Sequence, residues 1–296
     1  MKSFFLMAGL VLLVASCSKD TDVNLNEQEK QTAPVSVHVD DFNVSVEPIS
    51  TTRGASKVAD YSGINAITLA FYKSDNSQEY KNTQLKSDHT TYTTFGDFNL
   101  SLQMGSYTMV VVAYYTNEYS PFTLISPVEA SYTGARARET FTSTQTVNIT
   151  STKAVDISAT LSRIISQLTV ISTDNKTANV SNVRMTLSGG SKSFNPTTGL
   201  ATDNAGFSNT VSSSAAVGAT SSSSTCLFLA TDEQTMNVTI ETLDADGNAV
   251  FSTMVEDVPF KRNSVTKLTG SLYTNSGIAG AFQINTDWLP DTNVSF

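Results

Sequence analysis

Apolar and polar positions alternate with a period of two along most of this chain, the signature of half-buried strands. Val35, Val37 and Val39 face one way; the phase then slips by one, and Phe42, Val44 and Val46 continue on the even positions. A one-residue slip inside a strand is what a β-bulge produces, so residues 35–46 read as one bulged strand ending at Pro48. Residues 49–56 are polar and read as exposed loop. Residues 64–72 form a second strand, and Phe98, Leu100 and Leu102 alternate with Asn99 and Ser101 in a third. Residues 107–115 are apolar on both faces, as in a central strand covered from both sides. Val155, Ile157, Ala159 and Leu161 alternate cleanly with polar neighbours.

A second set of strands starts near Ile164. It comprises residues 168–171, 183–187, 226–230, 236–241, 249–251 and 265–272, with an extended end from Ala281 onward. Between the second and third of these lies a stretch rich in Ser, Thr, Gly and Ala, about residues 191–225, without apolar periodicity; it reads as surface loop. No segment of helical length carries apolar residues at helical spacing with a cap. Many short strands separated by turn signals predict all-β sandwiches, with a boundary near residues 160–163.

Composition agrees with an extracellular β protein. Charged residues are 15% of the chain, well under the ~25% usual in soluble domains, and Ser, Thr and Asn supply the polar surface instead. The formal charge is −9 over 296 residues. Such a chain repels nucleic acid and anionic lipid, and no basic stripe offsets this.

The N-terminus changes the picture further. Lys2 precedes the apolar run from Phe4 to Val14, then Ala15, Ser16 and Cys17. That layout is a secretion signal, too short to span a bilayer comfortably, which needs ~20 residues. Its end, Val14-Ala15-Ser16-Cys17, resembles a bacterial lipobox. Cleavage before Cys17 would leave a cysteine carrying acyl chains, palmitate among them, and two or more chains anchor stably. The following Ser18-Lys19-Asp20-Thr21-Asp22 resembles the export tag of Bacteroidales surface lipoproteins. Residues 1–16 are thus expected to be signal and 17–33 a polar tether.

Little in the sequence points to catalysis. The two histidines, His38 and His89, lie near no Ser, Cys or metal-ligand motif; no metal and no cofactor is expected, and the chain is not read as an enzyme. Paired carboxylates converging from distant positions remain the open route to a hydrolase. Asp244-Ala245-Asp246-Gly247-Asn248 lacks the ordered ligands and distal Glu of an EF-hand and reads as a hairpin turn. Cys226, with Cys17 acylated, has no disulfide partner and sits in an apolar run as a small buried hydrophobe. Tyr114, Tyr115, Tyr119 and the sole tryptophan, Trp288, are read as packing residues rather than a sugar platform.

Four blocks together resemble the Bacteroidales fimbrillin superfamily, the subunits and anchors of type V pili. They are residues 17–22; residues 35–46 with Thr51-Thr52-Arg53 and 64–72 behind them; residues 161–170; and residues 259–273 with 282–288 behind them. The last block is the most specific, and the resemblance covers essentially the whole mature chain. It implies two transthyretin-like β-sandwich domains in tandem, over residues 34–162 and 163–296. It implies assembly by strand exchange. An arginine-specific cut between Arg53 and Gly54 would remove the lipid and the first strand together. The strand formed by Val35, Val37, Val39, Phe42, Val44 and Val46 would then be replaced by a donor from a neighbouring subunit, with residues 282–296 as the donor candidate. Anchor subunits of the superfamily keep their lipid, and Arg136 and Arg138 are rival cut sites. The implied protein is a pilus subunit or anchor supporting adhesion, on the outer face of the outer membrane or in the fimbrium. Its partners are other fimbrial subunits and a host or bacterial surface ligand. The alternative is a glycan-binding surface lipoprotein of a polysaccharide-uptake system, which shares the anchor and the sandwiches.

Overall fold

The computed structural model describes residues 31–43, 58–88, 90–274 and 283–288. Cys17, Val44, Val46, Arg53, Gly54 and His89 lie outside the described residues, as do the signal, most of the tether and residues 289–296. Among the described residues every regular element is a strand.

The first half contains β1 (Thr32–Asn43), β2 (Ala66–Tyr72), β3 (Gln78–Leu85), β4 (Asp97–Gln103), β5 (Gly105–Tyr114), β6 (Phe122–Ser126), β7 (Glu129–Tyr132), β8 (Thr140–Ile149) and β9 (Val155–Arg163). Seven of these join in the order β3-β2-β5-β8-β9-β1-β4. The β8–β9 joint is made by only two residue pairs, Phe141 with Arg163 and Thr142 with Ser162. The sheet turns a corner there, and the layers β3-β2-β5-β8 and β9-β1-β4 close on one apolar core. That core holds Val35, Val37 and Val39 from β1, Leu69 and Phe71 from β2, Met109 and Val111 from β5, and Leu161 from β9.

The second half contains β10 (Ser166–Ser172), β11 (Asn182–Leu187), β12 (Ser193–Asn195), β13 (Leu200–Ala201), β14 (Phe207–Ser212), β15 (Ser222–Leu227), β16 (Glu233–Leu243), β17 (Ala249–Lys261), β18 (Ser264–Gly270) and β19 (Gln283–Trp288). Sheets β15-β10-β18-β19 and β14-β11-β16-β17 face each other across a second core of Leu168, Val170, Met185, Val238, Ile240 and Leu268. The expected hairpin turn joins β16 to β17: the Asp244 carboxylate accepts the Asp246 and Asn248 amides, and Gly247 takes φ +86°.

The stretch 191–225 is not the surface loop its composition suggests. It supplies β12 to β14 and most of β15, and Phe194 is fully buried. Strands β12 and β13 join β7 and β6 in a fourth sheet. This sheet covers the outward faces of β2 and β5, where Ala70, Tyr72, Val110 and Val112 meet Leu124, Tyr132, Phe194 and Phe228 in a third core. That cover explains why β5 is apolar on both faces, as the sequence predicts. Alternation did not show in 191–225 because β12 and β13 run only three and two residues and the six-residue β14 and β15 are built mostly from Ser, Thr and Asn.

Candidate functional site

The strand singled out by the alternation is the centre of a three-stranded layer. β1 runs parallel to β9 and antiparallel to β4, with strands on both sides. Its register against β9 breaks between His38 and Asp41, so the predicted bulge is present. Ala33, Val35, Val37 and Val39 point into the core, none more than 3% exposed. Beyond the bulge the backbone of Phe42 pairs with Leu161. The close approach of Gly96 sets the end of the β4 side: Val39 donates its amide to the Gly96 carbonyl at 3.1 Å. Gly96 has φ +103°, and a Cβ there would lie 2.9 Å from the Val39 oxygen.

On the outer face of β1, His38 ties the layer together. Its Nδ1 lies 2.9 Å from Asp97 on β4 and its Nε2 3.2 Å from Asp156 on β9. Asp156 is 79% exposed, and solvent-exposed ion pairs contribute only ~0–1 kcal/mol, so the clamp fixes position more than it stabilises. The apolar side matters more. Burying a valine fully is worth ~1.5–3 kcal/mol, so the three β1 valines together represent about 5–9 kcal/mol. That is comparable with the ~5–15 kcal/mol net stability of a domain.

A second constellation lies where β9 leads into β10. Arg163 has the parity of Ala159 and Leu161, so it points inward, and its side chain is 2% exposed. Its Nη2 lies 2.8 Å from Glu139 and donates to the Tyr61 hydroxyl at 2.9 Å; its Nη1 donates to the Asn263 side-chain carbonyl at 3.3 Å. Tyr61 in turn donates to Glu139. Burial, and behind it the Glu139 charge, hold the Tyr61 phenol well above its ordinary value, so it stays a donor. The guanidinium sits 4.9 Å over the Phe141 ring. One side chain thus joins residues of the first half to Asn263 in the β17–β18 turn.

Two recesses flank this crossing. One, ≈ 680 Å3, is lined by short hydroxyl side chains including Thr142, Thr144 and Ser162, and by the ion pairs Arg262–Asp232 (2.8 Å) and Lys261–Glu233 (3.0 Å). The other, ≈ 640 Å3, lies between the segment around Ala137 and the outer face of β10, β15 and β18. Arg136 and Arg138 both border it. Arg136 donates to the Ser224 carbonyl at 3.0 Å; Arg138 donates to the Ser120 hydroxyl at 3.0 Å and lies 5.5 Å over the Tyr115 ring. Between them Ala137 is buried and bridges Cys226 in antiparallel fashion. A backbone pinned on both sides is a poor protease substrate, which sets Arg136 and Arg138 apart from an exposed cut site. Burial pushes the Cys226 thiol up to about 12, in keeping with a small packed hydrophobe.

Of the other expected positions, residues 283–288 of the donor candidate form β19, antiparallel to β18 at the free edge of its sheet. Tyr114 is buried, Tyr115 half-buried against Arg138, and Tyr119 73% exposed, so the three form no shared platform. Sequence reasoning missed the Arg163 cluster and the recess beside it. A signal was present: a lone charge at an inward position of an alternating strand requires a buried partner.

The profile of a family of unknown function, DUF6562, matches residues 26–294. No curated protein matches the sequence. Among solved structures, the fimbrial anchor protein Mfa2 from Porphyromonas gingivalis aligns with TM-score 0.51 at 11% identity, over 87% of this chain and 98% of that one. A candidate adhesin from Bacteroides ovatus aligns with TM-score 0.52 at 10% identity, over 88% and 96%. Candidate polysaccharide-binding proteins (DUF1812) from Bacteroides thetaiotaomicron align with TM-score 0.52 at 11% identity, over 88% and 99%. At these identities the likeness is one of fold, an all-β architecture shared with these proteins.

Proposed function

We propose a function for a chain that belongs to the DUF6562 family: it is a structural, non-catalytic subunit of the bacterial cell surface, a fimbrial subunit or anchor that supports adhesion. In this reading the chain reaches the outer face of the outer membrane as a lipoprotein on Cys17. It associates with other fimbrial subunits by exchange of its first strand. The sharing of a fold with a fimbrial anchor protein and a candidate adhesin supports the coarse role.

The observation that carries the reading is the position of β1, inserted between β4 and β9 with four apolar side chains beneath it. A cut behind it, at Arg53–Gly54, would release strand and lipid together. The slot left behind would have an apolar floor and, on each side, a row of unpaired backbone donors and acceptors. Such a slot takes an extended segment from a neighbour, with main-chain hydrogen bonds giving affinity and alternate side chains giving specificity. Filling it removes edges prone to aggregation. The donor candidate, residues 282–296, includes β19. As an edge strand, β19 can detach without splitting its sheet.

The test is the N-terminus of the mature protein, read by mass spectrometry from sheared surface filaments and from outer membrane. A form starting at Gly54 in filaments is expected for a processed subunit, and an acylated Cys17 kept in the membrane beside filaments that contain the protein for an anchor. A chain with unmodified Cys17, recovered from neither fraction, would sink the proposal.

A further inference from the structure

The recess beside Arg163 has a charge that the rest of the chain does not. The chain carries a formal −9, yet the described residues lining this recess include three arginines, Arg136, Arg138 and Arg163, and one carboxylate, Glu139. That carboxylate is already engaged by Arg163 at 2.8 Å. Arg136 and Arg138 have only a backbone carbonyl, a hydroxyl and a ring as partners among the described residues, and none of these neutralises a charge. Cys226, which also lines the recess, is kept a neutral thiol by burial. Burial, and after it the neighbouring Arg138 charge, push the Arg136 guanidinium down from its ordinary value. Two like charges are therefore held near each other in a partly desolvated hollow, with no carboxylate bonded to either among the described residues, an arrangement that a bound anion relieves.

The shape and lining narrow the class. The volume, ≈ 640 Å3, falls in the range of small-molecule sites, ~300–1,000 Å3. Ser62, Gln167, Thr169 and Ser224 line it with short hydroxyls and an amide, while Ile165 and Val265 add apolar surface. Hydroxyl-bearing walls with an apolar patch suit a sugar ring, which presents hydroxyls at its rim and C–H groups on its faces. Dense polyanions are disfavoured by the long-range field of an acidic protein, whereas a ring bearing one carboxylate needs only the local pair of guanidiniums.

We propose that this recess binds an acidic saccharide of the hexuronate type, its carboxylate taken by Arg136 and Arg138 and its hydroxyls by the Thr169 and Ser224 side. The site is independent of strand exchange and would serve an anchor or a shaft subunit alike. The test is calorimetric titration of the full-length chain in detergent with trigalacturonate, with galactotriose as the uncharged counterpart and a tri-aspartate peptide as the acidic peptide arm. Trigalacturonate should bind, more weakly as salt is raised, while galactotriose should not. Arg136→Gln should weaken binding roughly tenfold or more, the scale of one lost charge-assisted hydrogen bond, and Arg136→Lys should weaken it less. The salt dependence of the wild-type chain needs no variant and holds even if Arg136→Gln misfolds. Absence of trigalacturonate binding, equal binding of galactotriose, an unchanged affinity in a folded Arg136→Gln chain, or tighter binding of the peptide would each overturn the proposal.

Discussion

Replacing Arg163 by methionine tests whether the crossing between the halves is held electrostatically or only by shape. Methionine keeps an apolar, unbranched stem but removes the charge and the guanidinium that lies over Phe141. Glu139 would then keep only the Tyr61 hydroxyl among the contacts described above. Removing one partner of a buried ion pair costs ~3–5 kcal/mol. Glu139 is 24% exposed, so water reaches it and the lower end applies. Loss of the cation over Phe141, worth ~2 kcal/mol or more when desolvated, is partly offset where the methionine sulfur reaches an aromatic ring, at ~0.3–1.5 kcal/mol. The expected loss is about 3 kcal/mol. The double variant Arg163→Met/Glu139→Gln removes both charges and leaves Tyr61 an amide oxygen to donate to, so it should recover about 2 kcal/mol of that loss. The assay is urea unfolding followed by circular dichroism at neutral pH. A loss under about 1 kcal/mol for the single variant, or a double variant as unstable as the single one, would refute the reasoning.

Two further outcomes follow from the second half. Phe194→Ala should destabilise by ~3–5 kcal/mol, read as a thermal midpoint, because Phe194 is fully buried with its ring 4.4 Å from that of Phe228; a change near zero would return this stretch to the surface. Asp174→Asn should cost about 1–2 kcal/mol at pH 7, since the carboxylate accepts the Leu272, Tyr273 and Thr274 amides at 2.8–2.9 Å. Burial works to raise the Asp174 carboxyl, but these bonds and the Thr274 hydroxyl hold it below its ordinary value. The stability it adds is therefore present above the unfolded value near ~4 and is lost as pH falls through the folded value. The gap between wild type and Asp174→Asn should close in acid, and a gap that persists unchanged at the lowest pH that the fold survives would contradict the assignment.

Much of the fold was legible because period-two alternation is a physical record of which face is wet. It located β1 with its bulge, since Val39 and Phe42 differ in parity, and it identified β5 as covered on both sides. It failed where strands were too short to alternate, as at Ser193–Asn195, and where the buried face is built from Ser and Thr rather than valine. β8 passed unnoticed because its core side, Phe141, Val147 and Ile149, is interrupted by Ser143 and Gln145, and its other face buries Thr140 and Thr142. The inward apolar row of β1, Val35, Val37 and Val39, was legible from side-chain parity alone. The Arg163 cluster was half legible, because its inward parity is visible but Tyr61, Glu139 and Asn263 come from three distant segments. The recess of Arg136 and Arg138 was not legible at all, since its other wall is formed by β10, β15 and β18, which no local pattern places beside them.

β1 is hydrogen-bonded along both flanks, to β4 and to β9. A pull applied along the axis of β1 would strain the bonds to β4 and β9 side by side in shear instead of peeling them open one at a time. Rupture then requires many bonds to fail together. By this placement β1 is among the hardest strands of the fold to drag out mechanically.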